Sequence, residues 1–418
     1  MTKIVQALEF PGVVGDGRND DTAGLQAALD SGAATVVLAA PPVHYRISRA
    51  LAIHSGQTLA ADRNAVIRLA DHAHAHLLTN ADHEQGNHHI TVTGGIWDGN
   101  NAHQTCLYHQ NGGDWQVPFD PQSYQGVLMQ FNRVTDLRVA HLTLKDPEMF
   151  GFQAGNLRRF TIEDITFDYN MLRGNMDGIH LHGNSHEGRI VNLKGATNDD
   201  LVALNADDGS IAELSRGPIT DIVVDGVWAQ DGYTAVRLLS AGSPIRRIRI
   251  ANVFGTYRFN VVSFTNHQVH PGEPSTFDDI SIQGVFCAKS TLGMEPAGLA
   301  GFGPILAPIW IDAPAVVSSL TLRDYHRTEE RHPVADIEIE PGATVKHLAL
   351  GDVVVENRCA APMHLLHNRG TVENLCLMNV RATAAEAGAG GAVVKNDGTL
   401  HRSSHFGVTA AGYDTGEA

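Results

Sequence analysis

The amino-acid sequence predicts an all-β fold, a single-stranded right-handed parallel β-helix (a solenoid) with a short N-terminal capping helix. Two observations support this: a strand–turn–strand unit that recurs from about residue 90, and a composition suited to short strands and tight turns. The chain has 418 residues, of which 42 are glycine and only 6% are aromatic. We expect one domain, with a cap over residues 1–50, coils over about 51–400 and a tail over 401–418.

The capping helix is predicted near the start of the chain. Leu25, Ala28 and Leu29 recur at helical spacing, and within the turn Asp20–Thr22 either Asp21 or Thr22 is a suitable N-cap. The two acids of this turn are therefore interpreted as capping residues rather than as catalytic groups. The helix would cover the open end of the solenoid, where unpaired strand edges need protection.

The repeat consists of a strand, a turn of one or two residues that are often Asn, Asp or Gly, and a second strand. The units recur every 22–40 residues or so, roughly the spacing of solenoid proteins. One unit cannot bury its apolar face alone, so neighbouring units must stack at about one strand spacing, ~4.8 Å. The segments are Ile90–Asp98, Val134–Lys145, Leu157–Asp168, Glu187–Gly195, Ile219–Ala229, Ile245–Gly255, Phe277–Ala288, Val317–Asp324, Val345–Glu356 and Val372–Ala382.

Charge and hydropathy patterns narrow the function classes. The formal net charge of −16 argues against nucleic acid as a partner, and no apolar run is long enough to span a membrane. No signal peptide is visible, so the chain is either cytoplasmic or has lost a leader, and the sequence leaves its localisation and oligomeric state open. The four cysteines show no metal-binding spacing and are expected to be buried thiols.

Two acidic turns, each followed by a short alternating strand, form the candidate site. Asn175–Gly178 leads into Ile179–His182, and Asn198–Asp200 leads into Leu201–Asn205. Apolar strand residues would face the core, so the polar ones would face outward beside the acids. Cleavage of a glycosidic bond uses such a surface, with one carboxyl protonated and another ionised. Candidate catalytic residues are Asp177, Asp199 and Asp200, and candidate substrate-binding residues are Asn175, His180, His182, Asn198, Asn205, Tyr233 and Arg237.

Several motifs resemble a known family. The stretch from Gly15-Asp16-Gly17 to Leu29 resembles the opening of the pectate-lyase-like superfamily. Gly94–Gly99, Leu142–Pro147 and Asn175–Gly178 resemble glycoside hydrolase family 28, the polygalacturonases. The resemblance covers about residues 5–290 and implies a right-handed parallel β-helix, a carbohydrate substrate and inverting hydrolysis. We expect no cofactor and no metal.

The resemblance also implies a role for each acid. Asp177 matches the aspartate of the family's Asn-x-Asp motif, and Asp199 and Asp200 match its aspartate pair. One of the pair would be the general acid, while Asp177 and the other would activate water. Carboxyls of an inverting enzyme lie about 6.5–9.5 Å apart, and carboxylates on adjacent coils can be spread that far.

Two motifs of the family are not kept. Its Gly-His-Gly motif corresponds to Gly232-Tyr233-Thr234, and its Arg-Ile-Lys motif should fall near Asn260–Phe264, which carries no charge. Arg237 is the nearby cation that we expect to point into the groove, if Val236 and Leu238 face the core. The expected substrate is therefore a neutral or differently substituted glycan rather than polygalacturonate.

Other functions stay open at this stage. A polysaccharide lyase would use Arg237, His180 or Tyr233 as its base, and a non-catalytic β-helix would bind glycan without turnover. His180 and His182, about 6.6 Å apart on one strand face, could also hold a metal ion together with Asp177.

Residues near the site have a second, structural interpretation. Tyr233 and Trp228 could stack on sugar rings or pack as ordinary aromatic side chains. Asp207 and Asp208 are interpreted as solvated turn acids. Asp114–Phe119, in a long insertion between coils, is a candidate loop over the groove.

Overall fold

The computed structural model describes residues 3–106, 126–208, 216–267, 270–292, 305–385 and 389–415. The chain divides into two compact units. In the described residues, the first unit runs to Asp199 and includes Arg216, and the second comprises Asp200–Asp208 and the residues from Gly217 onward. In both units the paired strands are parallel, which confirms the predicted all-β, right-handed parallel β-helix. The single-domain organisation stays a prediction, and the Asp114–Phe119 loop lies outside the described residues.

The described part of the first unit contains α1 (Thr22–Leu29), two short 3-10 turns (Ala7–Glu9 and Asn101–His103) and sixteen strands. The strands are β1 Ile4–Gln6, β2 Asp16–Asp20, β3 Thr35–Leu38, β4 His44–Ile47, β5 Leu51–Ile53, β6 Thr58–Ala61, β7 Val66–Leu69, β8 Leu78–Asn80, β9 Asn87–Thr93, β10 Ile96–Asp98, β11 Met129–Asn132, β12 Val134–Lys145, β13 Phe152–Gly155, β14 Arg158–Asp168, β15 Ile179–His182 and β16 Ser185–Lys194. Three predicted repeat segments thus correspond to the long strands β12, β14 and β16, and the segment Ile90–Asp98 extends over β9 and β10.

The second unit continues the repeat in its described residues. Its strands are β17 Asp200–Ala206, β18 Ile219–Gly232, β19 Thr234–Ser240, β20 Ile245–Tyr257, β21 Val262–Thr265, β22 Ser275–Lys289, β23 Ile309–Ile311, β24 Ala315–Val317, β25 Leu320–Glu329, β26 Ile337–Ile339, β27 Thr344–Asn357, β28 Leu366–Asn368, β29 Thr371–Ala384, β30 Gly391–Ala392, β31 Val394–Asn396, β32 Thr399–Phe406, β33 Thr409–Ala411 and β34 Tyr413–Asp414. The sequence analysis expected a tail from residue 401. Instead, β32 and β33 pair with β29 through backbone hydrogen bonds, which require no particular pattern of side chains.

The core is built from ladders of apolar residues at equal register. Between β12 and β14, Leu137 lies beside Phe160 and Val139 beside Ile162, and all four side chains are buried. The second unit repeats this arrangement between β20 and β22. Burial of apolar surface at about 25 cal/mol per Å² makes these ladders the main stabilising contribution, and it fixes the register of each coil.

Single left-handed residues divide the long strands, as the predicted turns require. Asp164 and Asn192 have φ of 54° and 58° in the first unit, and Asp352 and Asn379 have 53° and 56° in the second. Aspartate and asparagine tolerate this conformation better than other non-glycine residues. The side chains also connect coils, because Asn379 Nδ2 donates to Asp352 Oδ1 at 3.0 Å.

The helix α1 protects a strand edge as predicted, although its cap differs in detail. Gln26 bonds both backbone groups of Ala52 in β5, accepting from its N–H at 2.8 Å and donating to its carbonyl at 3.1 Å. Asp20, rather than Asp21, accepts the Thr22 N–H at 3.1 Å at the helix start. The buried Asp21 carboxylate instead accepts the N–H groups of Val14 and Gly15 in the loop before it.

The second unit also buries a charged cluster. Arg327 Nη2 lies 2.8 Å from Glu329 Oε2, and its Nη1 lies 3.2 Å from Asp336 Oδ1. The Tyr325 hydroxyl donates to Asp336 at 2.9 Å, and the carbonyls of His332 and Val334 accept from the guanidinium. Burial raises the pKa of Asp336 to about 6, against the opposing charge of Arg327. This cluster holds the chain between β25 and β26.

Outside this core, four rings stack on neighbouring strands of the second unit. Trp228, Phe254, Phe286 and His326 have successive centroid distances of 5.8, 5.3 and 4.5 Å, with planes within 7° of parallel. Trp228 therefore packs against another aromatic ring, on a strand face that is exposed to solvent. The four cysteines are all free thiols, of which Cys106, Cys287 and Cys359 are buried as predicted, whereas Cys376 is partly exposed. The described residues contain no helix long and apolar enough to cross a bilayer.

Candidate functional site

Asp177 lies in the turn that leads into β15, and its backbone is held from two sides. Its carbonyl accepts the N–H of Gly151 at 3.0 Å and the hydroxyl of Tyr169 at 3.0 Å. The first bond belongs to the coil-to-coil pairing that places β13 beside β15. Its side chain is 1% exposed, so the carboxyl occupies a nearly dry environment.

His180 and His182 follow Asp177 but are covered, which alternation alone did not predict. His180 Nδ1 lies 2.6 Å from Asp177 Oδ2, and its ring stacks on Phe150 at 4.2 Å between centroids. Gln153 Nε2 donates to His182 Nε2 at 2.9 Å. Both histidines are only 2–3% exposed. Each is thus held by a neighbouring polar group and is buried, and Phe150 covers the ring of His180.

Asp199 completes the acidic pair of the first unit. One of its carboxylate oxygens lies within 4.8 Å of one of Asp177, a distance at which a single water can bond both. The Thr197 hydroxyl donates to the Asp199 carbonyl at 2.8 Å, and the side chain of Asn198 donates to the Arg173 carbonyl at 2.6 Å. These bonds fix the second acidic turn. Asn198 is fully buried, so its contact is structural.

The distance between Asp177 and Asp199 differs from the expected spread of 6.5–9.5 Å. Neighbouring coils repeat at about one strand spacing, ~4.8 Å, so acids at matching positions stay close unless their side chains diverge. Oxygens this close could also share a divalent cation. His180 Nδ1 faces Asp177 and His182 Nε2 faces Gln153, so these two nitrogens would not be the ligand atoms of the alternative His180–His182 metal pair.

The candidate residues of the second unit centre on Asp200, the first residue of β17. Arg237 Nε lies 2.7 Å from Asp200 Oδ2, and the two side chains are 18% and 2% exposed. Val236 and Leu238 face the core, which confirms the predicted outward direction of Arg237. Burial raises the pKa of Asp200, and the Arg237 charge opposes that rise.

Two other predicted residues of the second unit differ from the expectation. Tyr233 is 4% exposed and stacks on Phe259 at 4.8 Å, with the Arg258 guanidinium 5.6 Å from its ring centroid. Its ring faces neighbouring side chains, so we correct the sugar-stacking assignment to a packed aromatic. Asn205 is fully buried and donates to Asp208 at 2.7 Å, which corrects it from an outward-facing group to an internal one.

The turn acids at the end of β17 also need a correction. Asp207 is 4% exposed, and its carboxylate accepts the N–H groups of Gly217 at 2.8 Å and Ser243 at 2.6 Å. It is a structural turn acid, as predicted, but a buried one. Asn175 has a left-handed backbone with φ of 56° and stays partly exposed in the first acidic turn.

Sequence reasoning missed Phe150 and the neighbouring Glu148. Phe150 lies directly before Gly151, whose N–H binds the Asp177 carbonyl, so it occupies the Asp177 position one coil earlier. Glu148 is fully buried, with Arg173 Nε 4.0 Å away. The signal was present in the sequence: Pro147–Gly151 follows one repeat strand and precedes another, as both acidic turns do.

Comparisons with known proteins connect this geometry to a family. Residues 80–215 match the family model described as glycosyl hydrolases family 28, which covers both acidic turns and confirms the resemblance. None of the curated protein sequences compared with the chain matches it.

Several solved structures are similar along nearly the whole chain. A family 28 exopolygalacturonase from Yersinia enterocolitica has a TM-score of 0.58 and 15% identity, with 97% of this chain and 78% of that chain covered. A hyperthermoactive exopolygalacturonase from Thermotoga maritima has 0.53 and 15%, with 91% and 92% covered. The A-module of a mannuronan C-5 epimerase from Azotobacter vinelandii has 0.59 and 12%, with 97% and 98% covered. At these identities the similarity shows the fold alone.

Proposed function

We propose that the chain is a glycoside hydrolase that cleaves a poly- or oligosaccharide by an inverting, aspartate-based acid/base mechanism. The closeness of Asp177 and Asp199, within 4.8 Å, carries the proposal, because one water bound between them can be activated by both. The match of residues 80–215 to family 28 supports glycosidase activity in the same stretch.

Asp177 and Asp199 are the proposed bases. A water that donates hydrogen bonds of about 2.8 Å to two carboxylates can bridge oxygens up to roughly 5 Å apart, and an oxygen of Asp177 and one of Asp199 lie within 4.8 Å of each other. His180, 2.6 Å from Asp177, orients that carboxyl. The water attacks the anomeric carbon, and its proton passes to one of the two aspartates.

Asp200 is the proposed general acid. Burial raises the pKa of its carboxyl, and a buried carboxyl that holds its proton can deliver it to the glycosidic oxygen. Its place directly after Asp199 agrees with the aspartate pair of the family motif.

The proposed substrate is a neutral or differently substituted glycan. Arg237 is paired with Asp200, so its charge is engaged by the protein's own carboxyl rather than presented to a uronate. The same contacts favour hydrolysis over a lyase reaction. Of the three candidate lyase bases, Arg237 is ion-paired, His180 contacts Asp177, and Tyr233 is packed on Phe259.

The test is a screen of the purified chain against neutral polysaccharides (arabinan, galactan, xylan) and an acidic one (polygalacturonate). Reducing ends measure turnover, and NMR of the first-formed sugar reads the anomer. We expect turnover of a neutral glycan with inverted anomeric configuration, and loss of that turnover in Asp177→Asn.

Three outcomes would reject the proposal. Ultraviolet absorbance from an unsaturated product would identify a lyase. Retained anomeric configuration would rule out inversion. Binding without turnover, unchanged when Asp177, Asp199 and Asp200 are all replaced by asparagine, would identify a non-catalytic glycan-binding β-helix. As a control, Asp221→Asn alters an exposed ion pair with Arg247 and should keep full activity.

A further inference from the structure

The pair of Asp200 and Arg237 has features that a surface ion pair lacks. Arg237 Nε approaches Asp200 Oδ2 to 2.7 Å, and the carboxyl is 2% exposed. The guanidinium also donates toward His267 Nε2 at 3.3 Å, which orients its other edge. Arginine keeps its charge at any working pH, so the carboxyl has a permanent cation beside it.

The groups around Asp200 act on its charge in opposite directions. Burial and the Asp208 carboxylate disfavour the ionised form, and the Arg237 charge favours it. Asp199, the preceding residue, places a further carboxyl next to it in the chain. Removal of Arg237 would leave burial and like charges to act together, and the carboxyl would hold its proton to a higher pH.

We propose that Arg237 is a positioning residue: its guanidinium holds the Asp200 carboxyl in place and serves as the counter-ion when that carboxyl gives up its proton. The second half rests on the proposed role of Asp200 as general acid. In that step the O–H bond of Asp200 breaks, and the proton goes to the glycosidic oxygen. The electron pair stays on the carboxylate, where Arg237 stabilises it.

This role differs from that of a clamp for an acidic sugar. A clamp binds the substrate, so its loss raises KM and affects acidic glycans selectively. A counter-ion for the enzyme's own acid acts on the chemical step, so its loss lowers kcat with little change in KM. The two roles therefore predict different kinetics for the same substitution.

The first experiment needs no substrate. Thermal unfolding of the full chain is measured from pH 5 to pH 8 for the wild type, Arg237→Gln, Asp200→Asn and the double variant. We expect Arg237→Gln to lower Tm more at pH 8 than at pH 5, because only an ionised Asp200 misses its counter-ion. In the Asp200→Asn background the same change should cost less and keep only the pH dependence due to His267, whose pKa burial and the Arg237 charge lower to about 4. Arg247→Gln, at an exposed pair, is the matched control and should lower Tm equally at every pH.

The second experiment measures the pH dependence of kcat on a neutral glycan that the wild type turns over. In Arg237→Gln the alkaline limb should move up by about one to three pH units, with kcat reduced and KM nearly unchanged. Arg237→Lys keeps the charge, so its alkaline limb should stay close to that of the wild type, and Arg237→Met replaces Arg237→Gln if that variant does not fold. An unmoved limb would overturn the counter-ion role.

The two experiments separate the possible failures. A pH-independent Tm loss that is identical with and without Asp200 overturns the ion pair itself, whatever the activity screen shows. Coupled Tm losses in a chain that hydrolyses no glycan leave the holding role standing but reject the proposed function and, with it, the counter-ion role. A raised KM confined to polygalacturonate would overturn the proposal in favour of a substrate clamp.

Discussion

Two buried aspartates in the second unit each face an arginine, yet their surroundings differ. Asp336 lies in the core with Arg327, Glu329 and the Tyr325 hydroxyl, and the Arg327 and Asp336 side chains are fully buried. Asp200 lies at the start of β17 and pairs with Arg237, whose side chain is 18% exposed. Burial raises the pKa of both carboxyls.

The difference shows what separates a structural ion pair from a candidate catalytic one. The guanidinium of Arg327 is enclosed by two carboxylates and by the backbone carbonyls of His332 and Val334. Such a cluster holds the chain in place, and its carboxyls have no substrate beside them to which a proton could be transferred. The guanidinium of Arg237 reaches solvent, so its pair can respond to a substrate and to pH. Similar chemistry thus serves stability at one site and, by our proposal, turnover at the other.

The largest expected effect distinguishes the two aspartates by activity. Asp200→Asn should lower kcat by about 10²–10⁴-fold, the typical contribution of a general acid, with little change in Tm. Asp336→Asn should keep kcat and lower Tm instead. Initial rates and thermal unfolding on the same preparations decide this. Full activity of Asp200→Asn would contradict the role assigned to it.

The second prediction compares the two arginines by stability. Arg327→Met should reduce the free energy of unfolding by about 3–5 kcal/mol, because it leaves buried carboxylates without their cation. Arg237→Met should cost less, because solvent reaches that pair. Urea unfolding at pH 7 measures both. Arg246→Met, at an exposed pair with Asp278, is the control and should cost at most about 1 kcal/mol. Equal losses for Arg327 and Arg237 would remove the distinction.

The third prediction concerns pH. The pKa of Asp336 is raised to about 6 in the folded chain, from an ordinary value near 3.8, so the folded state binds its proton more tightly. Its contribution to stability is full below pH ~4 and is lost as the pH rises through about 6, a total of roughly 3 kcal/mol. Urea unfolding of the wild type against Asp336→Asn, between pH 4 and pH 8, should show this slope. A difference that grows with pH would contradict it.

The smallest expected effect on stability concerns the hydrogen bond that the Tyr325 hydroxyl donates to Asp336. Tyr325→Phe removes the 2.9 Å hydrogen bond to Asp336 while keeping the buried ring. We expect a loss of about 0.5–1.5 kcal/mol in the free energy of unfolding and no change in turnover. Phe277→Leu, in the same core, is a size control without a hydrogen bond. A loss of activity in Tyr325→Phe would link the core cluster to the site.

The fold could be predicted from sequence because its signals are local and repeated. Apolar alternation defined the strands, and Asp, Asn or Gly marked positions such as Asp164 and Asn252, which adopt left-handed conformations. The tail from residue 401 was missed because a strand added to β29 needs backbone groups, not a side-chain pattern. Composition identifies the residues that suit a coil but does not show where pairing ends.

The site could be predicted only in part. The acidic turns and the outward direction of Arg237 follow from alternation, which is a property of one strand. The contact of Arg237 with Asp200 depends on the register of β17 against β19, where Ala203 rather than Asp200 lies beside Arg237. The cover over His180 comes from Phe150, 30 positions earlier in the chain. Loop lengths set both relations, and no local pattern encodes them.

The column of parallel rings on the second unit has a practical consequence. Trp228 stacks on Phe254 and is 41% exposed, whereas Trp97 is fully enclosed in the first unit. When β18 separates from β20, the indole of Trp228 exchanges an aromatic neighbour for water, and its fluorescence maximum shifts to longer wavelength. With Trp97, Trp115 and Trp310 replaced by phenylalanine, Trp228 is the one tryptophan left, and its emission reports how the strands around it separate under denaturant.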